Sequence, residues 1–175
     1  MAEKSIGLIE LSSVAAGFLV ADTMLKAGNV RLILSRSICS GKYMVLIGGE
    51  AAGAEAANGC LIDQFVIANV HPDVIAALGR TTPMEPTGAL GILESFNVTT
   101  LLQAADACAK AANVTLMEIR LAMALGGKAF VTLTGDVGSV QASVAAGRQV
   151  IAEAGVLVSA IVISRPHPDV YREVI

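Results

Sequence analysis

The side chains able to do chemistry are few, and most of them occur twice. Glu10 and Glu94 each end a short apolar run, Ile6-Gly-Leu-Ile-Glu10 and Leu90-Gly-Ile-Leu-Glu94. Two carboxylates suggest general acid–base work, but neither has a neighbouring base or nucleophile, so a structural or interface role fits better. Gly41-Lys42 and Gly127-Lys128 carry the ending of a phosphate loop without its beginning. Arg36 and Ala122 stand where the leading glycine belongs, and Tyr43 and Ala129 where the hydroxyl residue belongs. His71 and His167 are each followed by Pro-Asp-Val, with no Cys or His at ligand spacing, and read as turn residues rather than metal ligands. Of the three cysteines, Cys108 matches Met24 in a helix and Cys60 precedes a strand, which makes both small buried hydrophobes. Cys39 stands in a Cys39-Ser-Gly41 turn, and taken alone it reads as a small residue there.

These residues are positioned by a tandem repeat. At an offset of 84, Asp22, Lys26, Ala27, Asn29, Val30 and Leu32 are answered by Asp106, Lys110, Ala111, Asn113, Val114 and Leu116. Gly41-Lys42 answers Gly127-Lys128, Gly49-Glu50 answers Gly135-Asp136, and His71-Pro-Asp-Val74 answers His167-Pro-Asp-Val170. The boundaries are a first domain over 1–79, a Pro- and Gly-rich linker over 80–88, and a second domain over 89–175. Each half opens with an apolar strand, followed by Ser13 or Asn97 in the place of a helix N-cap. Val14, Phe18, Ala21 and Leu25 then fall on one helical face, with Asp22 and Lys26 as an i,i+4 ion pair on another. Arg31 to Ser37 and Lys42 to Ile47 form a hairpin through the Cys39 turn, an Ala-rich helix follows, and a strand runs from Leu61 to Val70. The order β-α-β-β-α-β is that of a ferredoxin-like split unit, an α/β (α+β) fold. The second helix of the first half is ten residues shorter than its counterpart, up to about 15 Å of helix.

Composition narrows the function classes. Apolar residues make up 54% of the 175 residues and charged residues 15%, against about 45–50% and about 25% in ordinary soluble domains, so the chain must hide unusual amounts of surface, most simply by self-association. The longest uncharged run is eleven residues, as from Ala154 to Ser164, too short for a spanning helix of about 20 residues, and no membrane association is expected. A net charge of −3, 3% aromatics and no Trp exclude a basic, stacking nucleic-acid surface. Three cysteines without a CxxC or an even framework fit a reducing cytoplasm.

The runs Gly7-Leu-Ile-Glu10, Asp22-x-x-x-Lys26-Ala-x-Asn-Val30, Gly41-Lys42, Gly49-Glu50 and Ser164-Arg-Pro-His-Pro168 resemble those of bacterial microcompartment shell domains, over both halves and nearly the whole chain. The resemblance implies two tandem shell domains of ferredoxin-like type, a homotrimer whose six domains form a pseudohexamer, and a structural protein rather than an enzyme. It implies a place in the shell of a microcompartment in the cytoplasm, beside other shell proteins. Within the family, Ser37-Ile-Cys-Ser-Gly-Lys42 and Met123-Ala-Leu-Gly-Gly-Lys128 are most similar to the T-type tandem shell proteins of propanediol-utilisation compartments. In the family these turns line the pore at the symmetry axis, which marks Ile38, Cys39, Ser40 and Gly41 with Leu125, Gly126 and Gly127.

In the T-type proteins a cysteine from each chain is implied to hold an iron-sulfur cluster of the 4Fe-4S type, one per trimer, and Cys39 occupies that place. The chain departs from the T-type pattern at Ser40, where those proteins carry proline; the change removes no ligand. Such clusters usually take four thiolates, and three copies of one cysteine would supply three. The expected function is electron transfer across the shell, with an encapsulated redox enzyme as a further partner. The alternative is a tile with an open central pore for small polar metabolites and no cluster; a small redox enzyme or sensor of the same fold, without a shell role, is a third class. The resemblance also marks Lys26, Asn29, Lys110, Asn113 and Arg165 as tile-edge residues. Asn69 and Val70 replace Arg165 and Pro166 in the first half, so only alternate edges would carry the arginine.

Overall fold

Two four-stranded antiparallel sheets of the same strand order carry the chain in a computed structural model, which describes residues 5–49, 59–79, 82 and 88–174. The first half gives β1 (Ile6–Leu11), α1 (Val14–Ala27), β2 (Val30–Ile38), β3 (Lys42–Gly49), β4 (Leu61–Ile67) and α2 (Pro72–Leu78). The second gives β5 (Ala89–Ser95), α3 (Val98–Ala111), β6 (Val114–Leu121), β7 (Ala129–Gly135), α4 (Val137–Glu153), β8 (Leu157–Ile163) and α5 (Pro168–Val174). The sheets run β2-β3-β1-β4 and β6-β7-β5-β8, the ferredoxin-like arrangement that the order of elements implied. β1 lies inside its sheet and all six of its residues are buried, which is why it reads as a continuous apolar run up to Glu10 rather than an alternating one. The repeats share even their irregularities. Bulges fall between Glu10 and Leu11 and between Glu94 and Ser95, and again between Leu32 and Leu34 and between Leu116 and Glu118.

The helix starts follow from their caps. Ser13 Oγ accepts from the Ala16 amide at 3.3 Å, and Asn97 Oδ1 accepts from the Thr100 amide at 2.8 Å, each satisfying one otherwise unpaired donor. The face of α1 differs from the expectation: Val14, Phe18 and Leu25 are exposed, and the buried set is Gly17, Val20, Ala21 and Met24. The reason is Tyr43 on β3. A Cβ on Gly17 would stand 2.2 Å from the Tyr43 ring, so the helix meets the sheet through its glycine and turns Phe18 onto the outer side of the same ring, centroids 5.1 Å apart. Val20, Ala21, Met24, Tyr43, Val45 and Ile47 complete that core with Ile9 and Leu11. The Ala-rich second helix of the first half, with Glu50 and most of the 80–88 linker, lies outside the described residues.

The chain divides into two compact units. One holds the described residues of 1–70 together with Ala122–Gly127, and the other those of 71–121 and 128–175. The stretch 71–79, which the repeat assigns to the first half, therefore packs in the second unit, where α2 lies against β6 and α3. In that unit α4 covers α3 through Gly147, whose missing side chain admits the Cys108 sulfur; a Cβ there would stand 2.4 Å from it. The Tyr171 hydroxyl of α5 donates to the Gly88 carbonyl at 2.9 Å, and its ring packs with Leu90 and Met117 on the other face of the sheet.

Candidate functional site

The turn from β2 to β3 is a single 3-10 turn over Cys39–Gly41. Ser40 and Gly41 have φ of 67° and 71°, a left-handed pair that serine reaches only at a cost. Against this turn the first unit holds the loop that joins β6 to β7, with Ala122, Ala124, Gly126 and Gly127 also at positive φ. The Cys39 amide donates to the Ala122 carbonyl at 2.9 Å. In return the loop amides point at the cysteine sulfur: hydrogen bonds from Gly127 first, then Leu125, with smaller contributions from Ala124 and Gly126, hold the thiol pKa below its ordinary value. Cys39 is half-buried, and Ser40 and Gly41 are exposed. Cys108 is the opposite case, with burial pushing its thiol up to about 12.

Beside this turn β3 begins at Lys42, whose Nζ donates to Glu10 Oε1 at 2.9 Å; Glu10 is buried and its Oε2 has no hydrogen-bond partner. The second unit repeats the pair as Lys128 with Glu94 at 2.6 Å. The two glutamates and two Gly-Lys motifs, considered separately in the sequence, are thus partners. Their joint recurrence in both halves is the sequence signal that could have linked them. The pairs tie the end of the first strand of each repeat to the start of the third, the structural role expected of the carboxylates.

Of the other pore candidates, Leu125 and Gly127 are half-buried and Gly126 is exposed, whereas Ile38 is buried and offers no side chain to solvent. The gathering of 122–127 at Cys39 was missed from sequence, although one sign was present: the repeat offset grows from 84 at Leu32 and Leu116 to 86 at Gly41 and Gly127, so this loop is longer than its counterpart. His71 and His167 are turn residues, as expected. Each Nδ1 accepts from the amide two residues on, Asp73 and Asp169, at 3.3 Å. The expected ion pairs of Lys26 and Lys110, two of the tile-edge candidates, are present, Lys26 with Asp22 at 2.6 Å and Lys110 with Asp106 at 2.5 Å. Asn29, Asn113 and Arg165 are exposed. Cys60 is half-buried against the first core.

Among the described residues no three His, Cys, Asp or Glu side chains converge on one point, so the described residues of a single chain offer no complete metal site. Cys39 fits an iron-sulfur ligand in one way only, as one of several symmetric copies. A thiol that amide donors favour as thiolate is the form such a ligand takes.

No helix of the described residues is long and apolar enough to cross a membrane. The model of the BMC domain matches the chain twice, over residues 5–70 and 89–166. A bacterial microcompartment shell protein of Citrobacter freundii, PduT, is 36% identical over 98% of both chains. The shell protein PduA of the same organism is 39% identical over 47% of this chain and 86% of its own length, as a single domain would be. A crystal structure of a microcompartment protein from Desulfitobacterium hafniense superposes with a TM-score of 0.85 at 44% identity, covering 96% of this chain and 98% of that one. A fused permuted hexameric shell protein from the RMM microcompartment, 19% identical with a TM-score of 0.58, covers 85% of this chain and 81% of its own and shares the fold. With the repeat, both sheets and the whole length accounted for, the chain belongs to the BMC-domain family of bacterial microcompartment shell proteins, as a tandem member.

Proposed function

We propose that this shell protein forms a trimeric, pseudohexagonal tile and that Cys39 from each of three chains binds one iron-sulfur cluster, of the 4Fe-4S type, on the three-fold axis. The observation that carries the reading is the Cys39 thiol facing the amides of Gly127, Leu125, Ala124 and Gly126. Amide donors at a cysteine sulfur stabilise its thiolate and are among the features that set the potential of a cluster it ligates. When bound, such a group supplies one-electron transfer, here between the two faces of the shell and toward an encapsulated redox enzyme. The chain's own contribution is to fix the thiolate and to shape the passage with the Ser40-Gly41 and Leu125-Gly126-Gly127 backbones. The role is structural and conductive rather than enzymatic, with Lys26, Lys110 and Arg165 at edges that meet other shell proteins. Iron and acid-labile sulfide per chain, with electron paramagnetic resonance on anaerobically purified protein, test it. One cluster per three chains is expected, and Cys39→Ser should lose iron and colour while the oligomer persists. Protein that stays iron-free after anaerobic reconstitution would leave a shell tile with an open pore for small polar metabolites.

A further inference from the structure

The Cys39 turn holds one side chain that neither the turn nor the loop packed on it uses. Ser40 is exposed, and at φ 67° and ψ 29° it adopts the left-handed conformation that glycine takes freely and serine only at a cost. Gly41 follows in the same conformation at φ 71°, so the backbone path by itself has no need of a side chain at 40. The hydroxyl does not hold the turn together either. In the same unit Ser12 Oγ donates to the Cys60 carbonyl, Ser13 Oγ caps α1 and Ser35 Oγ bonds to the Tyr43 hydroxyl. The Ser40 hydroxyl has no hydrogen-bond partner among the described residues.

Its position relates it to the sulfur. A Cβ on Gly127 would stand 4.0 Å from Ser40 Oγ, and Gly127 is the first of the amides that donate to the Cys39 sulfur. The thiol and the hydroxyl, on consecutive residues, therefore lie against the same residue of the loop. One more donor is what the chemistry of the site requires. Iron-sulfur clusters usually take four protein ligands, and three copies of Cys39 supply three. Oxygen donors also hold protein-bound iron, as a tyrosine does in some haem proteins.

We infer that the hydroxyl of one Ser40 in the trimer ligates the iron that the three Cys39 thiolates leave open. It binds as the alkoxide, its proton passing to solvent, with no change in the oxidation state of the iron. This ligation rests on the cluster reading above and adds to it a protein ligand where water or a small molecule would otherwise sit. A ligand fixed to the chain retains the fourth iron, whereas water leaves it exchangeable.

The test is Ser40→Gly, which removes the hydroxyl at a position where glycine is at ease, with Ser40→Cys as the rescue. Both are full-length proteins purified anaerobically beside wild type and then exposed briefly to ferricyanide. Iron and acid-labile sulfide are counted per chain, and electron paramagnetic resonance spectra are taken before and after reduction. Wild type and Ser40→Cys should hold about four irons per three chains and give no signal until reduced. Ser40→Gly should keep its sulfide but fall to about three irons per three chains, with the signal of a three-iron centre before reduction. A Ser40→Gly protein that retains its fourth iron as wild type does overturns the ligand and leaves the cluster reading standing. So does a Ser40→Cys protein that loses the fourth iron as readily as Ser40→Gly, or wild type that itself holds only the three-iron centre. Wild type that stays iron-free after anaerobic reconstitution overturns both.

Discussion

The first helix of each repeat begins on a side-chain cap, ends on an extended residue and presents a lysine in its last turn, yet α3 buries ten residues and α1 four. The strands that follow differ in the same sense, β6 buried nearly throughout and β2 only at its end. Local sequence thus sets the same elements twice, and burial is decided by what is laid on them. α3 lies under α4, with α2 against it and β6, all within one unit. Burial at a repeated position is therefore a record of neighbours, and the less covered copy marks where an assembly has surface left to use.

The comparison is sharpest at Leu116 and Leu32. Leu116→Ala should cost about 2–5 kcal/mol of folding stability, and Leu32→Ala under about 1 kcal/mol, because much of that side chain already meets water. Urea unfolding of both variants measures the contrast, and equal losses would break it. At the strand ends the order reverses in favour of the first repeat. Lys42→Met leaves the buried Glu10 carboxylate without its cation and should cost about 2–3 kcal/mol, below the full value for a buried pair because Lys42 reaches solvent. Lys128→Met leaves the more accessible Glu94 and should cost under about 1 kcal/mol. A larger loss at Lys128 would show that burial does not rank the two pairs. The smallest effect on stability, and the clearest on reactivity, concerns the thiols. A thiol whose pKa is lowered carries more thiolate at every pH below its ordinary value, so Cys39 should keep reacting with iodoacetamide as pH falls. Cys108, at about 12, stays protonated and buried. Near pH 8, mass spectrometry should show Cys39 modified at least about 100-fold faster; comparable rates would remove the amide effect from the site.

The sequence by itself determined the repeat, the family, the order of the strands, the first helix of each half with its cap at Ser13 or Asn97, and the turn status of His71 and His167. These follow from local patterning, which reads out wherever residue types within a few positions fix the backbone. The sequence did not show the short helices α2 and α5. It misjudged the face of α1, because Phe18 has the right spacing for a core residue and only the Tyr43 ring, reaching across from β3, shows that Gly17 is the point of contact. It presented Glu10 and Lys42 as separate motifs, since 32 positions separate residues that the antiparallel pairing of β1 with β3 brings within 2.9 Å. Tertiary structure alone decided that the loop 122–127 turns its amides on Cys39 and that α2 leaves its own repeat for the other. Both are long-range contacts whose free energy comes from surfaces distant in the chain, and no local periodicity encodes which distant surface a segment will cover.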